Sequence, residues 1–277
     1  MKNIMLTVLV CCLGMQVFSQ TAKPAEAPRK KMTMPEVVLQ IVQNMVRVDG
    51  GTYKMGCQNE SDSDCYYWEK PAHKVSVSSF YIDKYPITQL EWEAVMGTRP
   101  WFSKNCPTCP VENVNWNDAT EFLDRLNKVS GVHYRLPTEA EFEFAARGGN
   151  LSKGYKYAGS DNIREVAWYD SVSHGQAHPV AQKKPNELGL YDMSGNVFQW
   201  TLDWFDSDYY LHSPEKDPKG PTAESYRTCR GGSWWSDDSY SRVSNRDRYP
   251  VDARDDDVGF RIAKDAYMVE QASGNGQ

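Results

Sequence analysis

Residues 230–246, RGGSWWSDDSYSRVSNR, bring hydroxyl, carboxyl, indole and guanidinium groups close together in the chain. The hydroxyls of Ser233, Ser236 and Ser241 would suit a hydrolase, but no GxSxG elbow surrounds them, and a serine nucleophile needs that strained, exposed placement beside a base. The histidines His73, His133, His174, His178 and His212 are dispersed. Only His174 and His178 lie close, in SHGQAHP; a third ligand for an iron site is missing, and the plainer expectation is a loop that hydrogen-bonds its own backbone. The cysteines offer other chemistry. Cys57 and Cys65 flank the polar loop QNESDSD, Cys106 and Cys109 bracket a Pro-Thr turn, and Cys229 is left over. Two local disulfides are expected; the alternative, a four-cysteine zinc site, fits these spacings poorly without a histidine pair.

Such groups need a frame to hold them. The chain has 277 residues, 40% of them hydrophobic, and a net charge of −6 with no basic cluster. That composition suits a globular body and argues against nucleic acid as a partner. Lys2, the apolar run from Ile4 to Phe18 and the small-residue end Ser19-Gln20 read as a signal peptide, so residues 1–19 are expected to be removed on export to the periplasm or the exterior. Cys11, Cys12, Gly14 and Gln16 interrupt the run too often for a membrane anchor, and a lipoprotein attachment at Cys11 or Cys12 would sit unusually early. No transmembrane segment is expected after cleavage. Residues 20–44 read as a tether and short lead-in, 45–265 as the folded domain and 266–277 as a flexible tail. Helices are expected in YPITQLEWEAVMG, capped by Thr88 and stopped by Gly97; in NWNDATEFLDRLNKVSG, with Ala119, Phe122, Leu123 and Leu126 on one face before Gly131; and in PTEAEFEFAARGG, opened by a Thr138–Glu141 capping box and closed at Gly148. The remainder reads as short strands and loops, which leaves nine tryptophans and sixteen tyrosines to supply much of the packing.

The blocks MVRVDGGTYKMG (45–56), PAHKVSVSSFYIDKYPIT (71–88), PVENVNWNDATEF (110–122), YRLPTEAEFEFAARGG (134–149), NELGLYDMSGNVFQW (186–200) and RGGSW with GFRIA (230–263) occur in a fixed order. That order resembles the formylglycine-generating enzyme family, also called the sulfatase-modifying factor domain. The resemblance implies an α+β, irregular, loop-rich single domain related to C-type lectins. Members bind Cu(I) through two cysteine thiolates and use oxygen to convert a sulfatase cysteine to formylglycine; aligned on RGGS, those thiolates fall at Ser236 and Ser241. Cu(I) is soft and prefers sulfur, whereas a serine hydroxyl is hard and stays protonated near neutral pH. Cys229 stands ~23 Å from Ser236 at strand rise. Copper and oxidase activity are therefore not expected; the alternative is a working formylglycine-generating oxidoreductase acting on sulfatase cysteines. Sulfoxide synthases that share the domain need a helical partner carrying a three-histidine iron site, and no such segment is read in these residues.

The family's structural calcium implies a ligand set in YDMSGNVFQW: the side chains of Asp192 and Gln199 with the carbonyls of Gly195 and Val197. Gln199 stands where the family usually has glutamate, which removes a charge and weakens the site. The competing reading is a tight turn at Gly195-Asn196 capped by Asp192. WWSDDSYS and DRYPVDARDDD bracket the RVSNR run, and the pattern also resembles the ligand-binding end of lectin-fold variable proteins, whose adaptable side chains stand between fixed RGGSW and GFR elements. On that resemblance Arg230, Gly231, Gly232, Asn245, Arg246, Gly259, Phe260 and Arg261 are scaffold. Trp234 or Trp235, Ser236, Asp237, Asp238, Tyr240 and Ser241 form the ligand surface, with Arg246 counted in both, and strand alternation turns one of the two tryptophans outward. The expected function is a binding module for a protein, peptide or glycan; a structural component of envelope secretion or gliding machinery is a further alternative.

Overall fold

Val37 and Ile41, one helical turn apart in a segment led by Pro35, carry the apolar stripe of a helix, α1 (Met34–Asn44), in the computed structural model. Both are fully buried against the main core, so the helical part of the expected lead-in of residues 20–44 belongs to the folded body. The structure describes residues 31–59, 63–102 and 106–266. The signal peptide, and all of the expected tail after residue 266, lie outside the described residues.

From α1 the chain runs through β1 (Met45–Val48), β2 (Gly51–Met55), β3 (His73–Val77) and β4 (Phe80–Asp83). The three expected helices follow. In α2 (Gln89–Met96), Thr88 Oγ1 accepts from Glu91 N and Gly97 closes the helix at φ 72°. In α3 (Trp116–Ser130), Asn115 caps Asp118 N at 2.8 Å and the four expected residues are the buried face. In α4 (Glu139–Ala146), Thr138 and Glu141 exchange hydrogen bonds at 2.8 and 3.1 Å. The strands β5 (Phe198–Trp204), β6 (Tyr226–Arg230), β7 (Asp247–Pro250), β8 (Val258–Phe260) and β9 (Ala263–Asp265) complete the fold.

These strands make three small sheets: β1-β4-β9, β2-β3, and β7-β6-β5-β8, in which β5 pairs parallel with β8 and antiparallel with β6. One core lies between the α1–α3 layer and the four-stranded sheet, where Trp92, Phe122 and Phe260 meet ring to ring at 5.4–6.1 Å. A second lies between α4 and the other two sheets. The link from β6 to β7 contains the whole of the RGGS turn, so the four-stranded sheet fixes both ends of the candidate site. No helix among the described residues is long and apolar enough to cross a membrane.

Candidate functional site

All eight residues of α4 are buried, including Glu139, Glu141 and Glu143. A buried carboxylate is least costly when paired and hydrogen-bonded; Arg135 forks onto Glu141 at 2.7 and 2.7 Å, and arginines from the RGGS–RVSNR stretch reach Glu139 and Glu143. Arg230, at the end of β6, donates to Glu143, whose other oxygen takes Gly56 N–H at 2.9 Å and Arg147 Nε at 2.9 Å. Burial alone would raise the Glu143 carboxyl, but Arg147 and Arg230 hold it below the usual range. Arg246 forks onto Glu139 at 2.7 and 2.9 Å and also donates to the Trp68 carbonyl at 2.8 Å. Arg242 forks onto the buried Glu69 at 2.7 and 2.7 Å. Arg230 and Arg246 are thus scaffold as expected. Arg246 is 1% exposed with its guanidinium fully engaged, so its second placement, on the ligand surface, is corrected.

Between these pins the chain does not run as a strand. After Gly232, at φ 74°, it turns, and Asp238–Ser241 is a single 3-10 turn capped by Asp237, which accepts from Ser239 N at 2.9 Å. Strand alternation therefore fails as the rule for which side chains face out. Trp235 is 67% exposed, and Asp237 and Asp238 are exposed. Ser236 and Tyr240 are half-buried. Ser233, Trp234 and Ser241 are buried, which removes Ser241 from the exposed surface and leaves Trp234 there only by one edge. The Ser241 hydroxyl has no hydrogen-bond partner among the described residues, while Ser233 Oγ donates to Asp257 at 2.6 Å and lies 2.8 Å from Ser236 Oγ. Burial, with Asp255, Asp256 and Asp247 nearby, raises the Asp257 carboxyl to about 6 against the Ser233 hydrogen bond. Trp234, Trp235, Tyr249 and Asp255, Asp256 and Asp257 line a cleft of about 360 Å³ beside this turn.

The donors expected for calcium and copper are engaged as follows. Gln199 Oε1 already accepts from Arg261 Nε at 2.5 Å and its amide N–H donates to the Asp192 carbonyl at 2.7 Å. Arg261 also takes the carbonyls of Tyr191 and Asp83 at 2.7 and 3.0 Å. A guanidinium thus takes up the Gln199 side-chain oxygen, and burial brings it down only to about 10, so it stays charged. The Asp192 side chain accepts from Ala181 N at 2.9 Å and from Asn196 Nδ2 at 3.2 Å, with Asp192 and Asn196 at φ 54° and 69°. Asp192 and Gln199, two of the expected calcium ligands with the Gly195 and Val197 carbonyls, thus have side chains engaged in a capped turn tied to Arg261. For copper, thiolates are required, and Cys57–Cys65 and Cys106–Cys109 are joined as the two expected disulfides. Cys229 is fully buried and its thiol is pushed well up by burial and then by Asp247, Asp257 and Asp255. The His178 ring bonds the Ser173 carbonyl at 2.7 Å and stacks on Trp168 at 3.8 Å, which accounts for the SHGQAHP loop.

Two groups of functional residues escaped the sequence reading. The glutamates Glu69, Glu139 and Glu143 were visible as acids inside apolar runs, a pattern that demands buried cations. Tyr249 and Asp255–Asp257 stand far from Trp235 in sequence, and only the pairing of β6 with β7 and the return to β8 brings them to it.

An irregular α+β body pinned by buried arginines, with a loop-built face at the RGGS turn, defines a lectin-related class of domain. Residues 30–266 match the sulfatase-modifying factor enzyme 1-like domain, and the chain belongs to that family. A "Chaperone protein LppX" of Paenibacillus barcinonensis is 31% identical over 274 residues, covering 81% of this chain and 90% of that one. A "Formylglycine-generating enzyme" of Streptomyces coelicolor is 30% identical over 317 residues, covering 90% and 95%. Among solved structures, Treponema denticola variable protein 1 superposes with a TM-score of 0.71 at 29% identity, covering 80% of this chain and 94% of its own.

Proposed function

We propose that the protein is an exported binding module of the sulfatase-modifying factor family, without copper oxidase activity, whose ligand is a protein, peptide or glycan. The observation that carries this reading is the cleft lined by Trp234, Trp235, Tyr249 and Asp255–Asp257 beside the exposed Asp237 and Asp238. An exposed indole offers contact area at low entropy cost, and short carboxylates adapt their hydrogen bonds. Chemistry at the same turn lacks its means. Hydroxyls stand at positions 236 and 241, and each described cysteine is either in a disulfide or sealed in the core. Export rests on the apolar leader of residues 1–19.

The likeness to a formylglycine-generating enzyme over 95% of that chain favours an oxidase as the second reading. Cu(I) titration against a chromophoric chelator separates the two. The protein as it exists is expected to leave Cu(I) with the chelator, and the Ser236→Cys, Ser241→Cys variant to withdraw it. Tight Cu(I) retention by the unsubstituted protein, with oxygen uptake over a cysteine peptide, would sink the binding reading. On peptide and glycan arrays, Asp237→Asn, Asp238→Asn and Tyr240→Ala together are expected to erase the signals of the unsubstituted protein.

A further inference from the structure

We infer that the cleft receives a lysine or arginine side chain from a basic peptide segment of the partner, an inference that rests on the binding-module reading above. Trp235 forms one wall, 67% exposed and held edge-on against Trp234 at 5.6 Å and 73°. Trp234 in turn donates its indole N–H to the Asp256 carbonyl at 3.2 Å, tying this wall to the acidic loop. Tyr249 lines the cleft from β7 with its ring packed on Phe198 and Trp200 at 6.0 Å each. Aromatic rings fixed in this way present π faces, which attract a cation once it is partly desolvated.

The charge in the cleft has one sign. Asp257 lines it at 8% exposure, and its only side-chain hydrogen bond is the one from neutral Ser233 at 2.6 Å; no cation pairs with it among the described residues. Asp203 is likewise a buried carboxylate with no paired cation among the described residues, but it is closed in the core on the Glu139 N–H at 2.9 Å, whereas Asp257 lines a cleft that solvent reaches. Asp255 and Asp256 add two exposed carboxylates on the same lining. The arginines nearest in sequence are committed elsewhere, Arg254 to Asp118 and Arg248 to the rings of Trp68 and Phe205 at 5.0 and 4.9 Å. A primary ammonium or guanidinium on a flexible stem meets both demands: its charge reaches Asp257 and its alkyl stem lies along Trp235 and Tyr249.

The test uses the full chain and an acetylated, amidated ten-residue peptide of alternating lysine and glycine, with indole fluorescence and calorimetry as readouts. Its N-ε-acetyl-lysine counterpart serves as the charge-free control. Binding is expected for the lysine peptide, at least tenfold weaker for the acetylated one, and at least tenfold weaker for Trp235→Ala and for Asp255→Asn with Asp256→Asn. Both sites are exposed, so these variants fold, and Asp257→Asn adds the buried position. Glu121→Gln with Asp124→Asn on the exposed side of α3 removes as many acids elsewhere and is expected to leave affinity unchanged. Equal losses from the α3 variant and the cleft variants would reduce the effect to net charge and overturn the inference. If a neutral peptide or glycan binds and depends on Trp235 while the lysine peptide does not, the cationic ligand is refuted and the binding module survives. If nothing on the arrays or in solution depends on Trp235, both fall.

Discussion

Glu139→Gln is the substitution that best tests whether buried ion pairs hold the loop face in shape. Glu139 is 2% exposed and receives both arms of Arg246 at 2.7 and 2.9 Å, while Arg230 Nε lies 3.3 Å away. The amide keeps the volume and one acceptor but removes the charge, leaving Arg246 inside with three neutral acceptors, the Gln oxygen and the Trp68 and Asp206 carbonyls at 2.8 and 3.3 Å, and no counter-ion at position 139. Breaking one partner of such a buried pair costs about 3–5 kcal/mol, because the remaining charge stays desolvated. For a body of this size that lowers Tm by roughly 6–20 °C. The assay is urea unfolding followed by tryptophan fluorescence, with an unchanged slope and a lowered midpoint. Glu121→Gln, which removes an exposed pair with Arg125, is the control and is expected to cost under about 0.5 kcal/mol. A Glu139→Gln midpoint within about 1 kcal/mol of the unsubstituted protein would refute the reasoning, since the arginines would then be held by packing rather than by charge.

Two further outcomes follow from the same geometry. Gly232→Ala places a Cβ at φ 74° and within 2.7–3.0 Å of Ser241 Oγ, N and Cα; left-handed strain and backbone overlap together are expected to cost at least about 2 kcal/mol in the urea midpoint, and a neutral result would show that the turn relaxes freely. Asp257 titrates in the folded protein at about 6 because of burial and then its acidic neighbours, above its ordinary value of about 3.9, so the folded state holds the extra proton between these values. Its contribution to stability is therefore full below about pH 4 and is lost as pH rises through about 6, by up to about 3 kcal/mol. Asp257→Asn is expected to match the parent near pH 4 and exceed it increasingly up to pH 7 in urea midpoints; a gap that does not vary with pH would contradict it.

How much of this was legible in the sequence depended on whether a residue's partner was local. Thr88, Asn115 and Thr138 meet their capping partners three residues on, so α2, α3 and α4 could be read with their ends, and the same holds for the two disulfides across short loops. The run from 233 to 241 could not be read as local structure, because its course is set by remote groups: Ser233 by Asp257, the Trp234 backbone by Asn196 and the Ser236 carbonyl by Asp170 N–H. A period-2 pattern was therefore assigned to a segment with no sheet partner, and the inward side chains were misplaced with it. The partners of Asp192 and Gln199 are remote in the same way. Asp192 and Gln199 have the right chemistry for a cation, and nothing near them in sequence says that Arg261 bonds the Gln199 oxygen and the Asp192 carbonyl.

That last contrast separates the two halves of the site. Where this fold needs positive charge inside, it brings in arginine: Arg261 at Gln199, Arg230 and Arg246 at α4, Arg242 at Glu69. Arg261, Arg246 and Arg242 are each held by two or more hydrogen bonds, and Arg230 by its bond to Glu143 with Glu139 3.3 Å away, so each stiffens the frame. At Asp257 the same fold leaves a buried carboxylate with a neutral serine and three acidic neighbours, beside a tryptophan that solvent reaches. The energetic cost of that arrangement falls where the loop face is concave and aromatic. Asp203, equally without a paired cation among the described residues, is closed off in the core, so the cleft is where an incoming lysine or arginine side chain, the proposed ligand, reaches such a carboxylate.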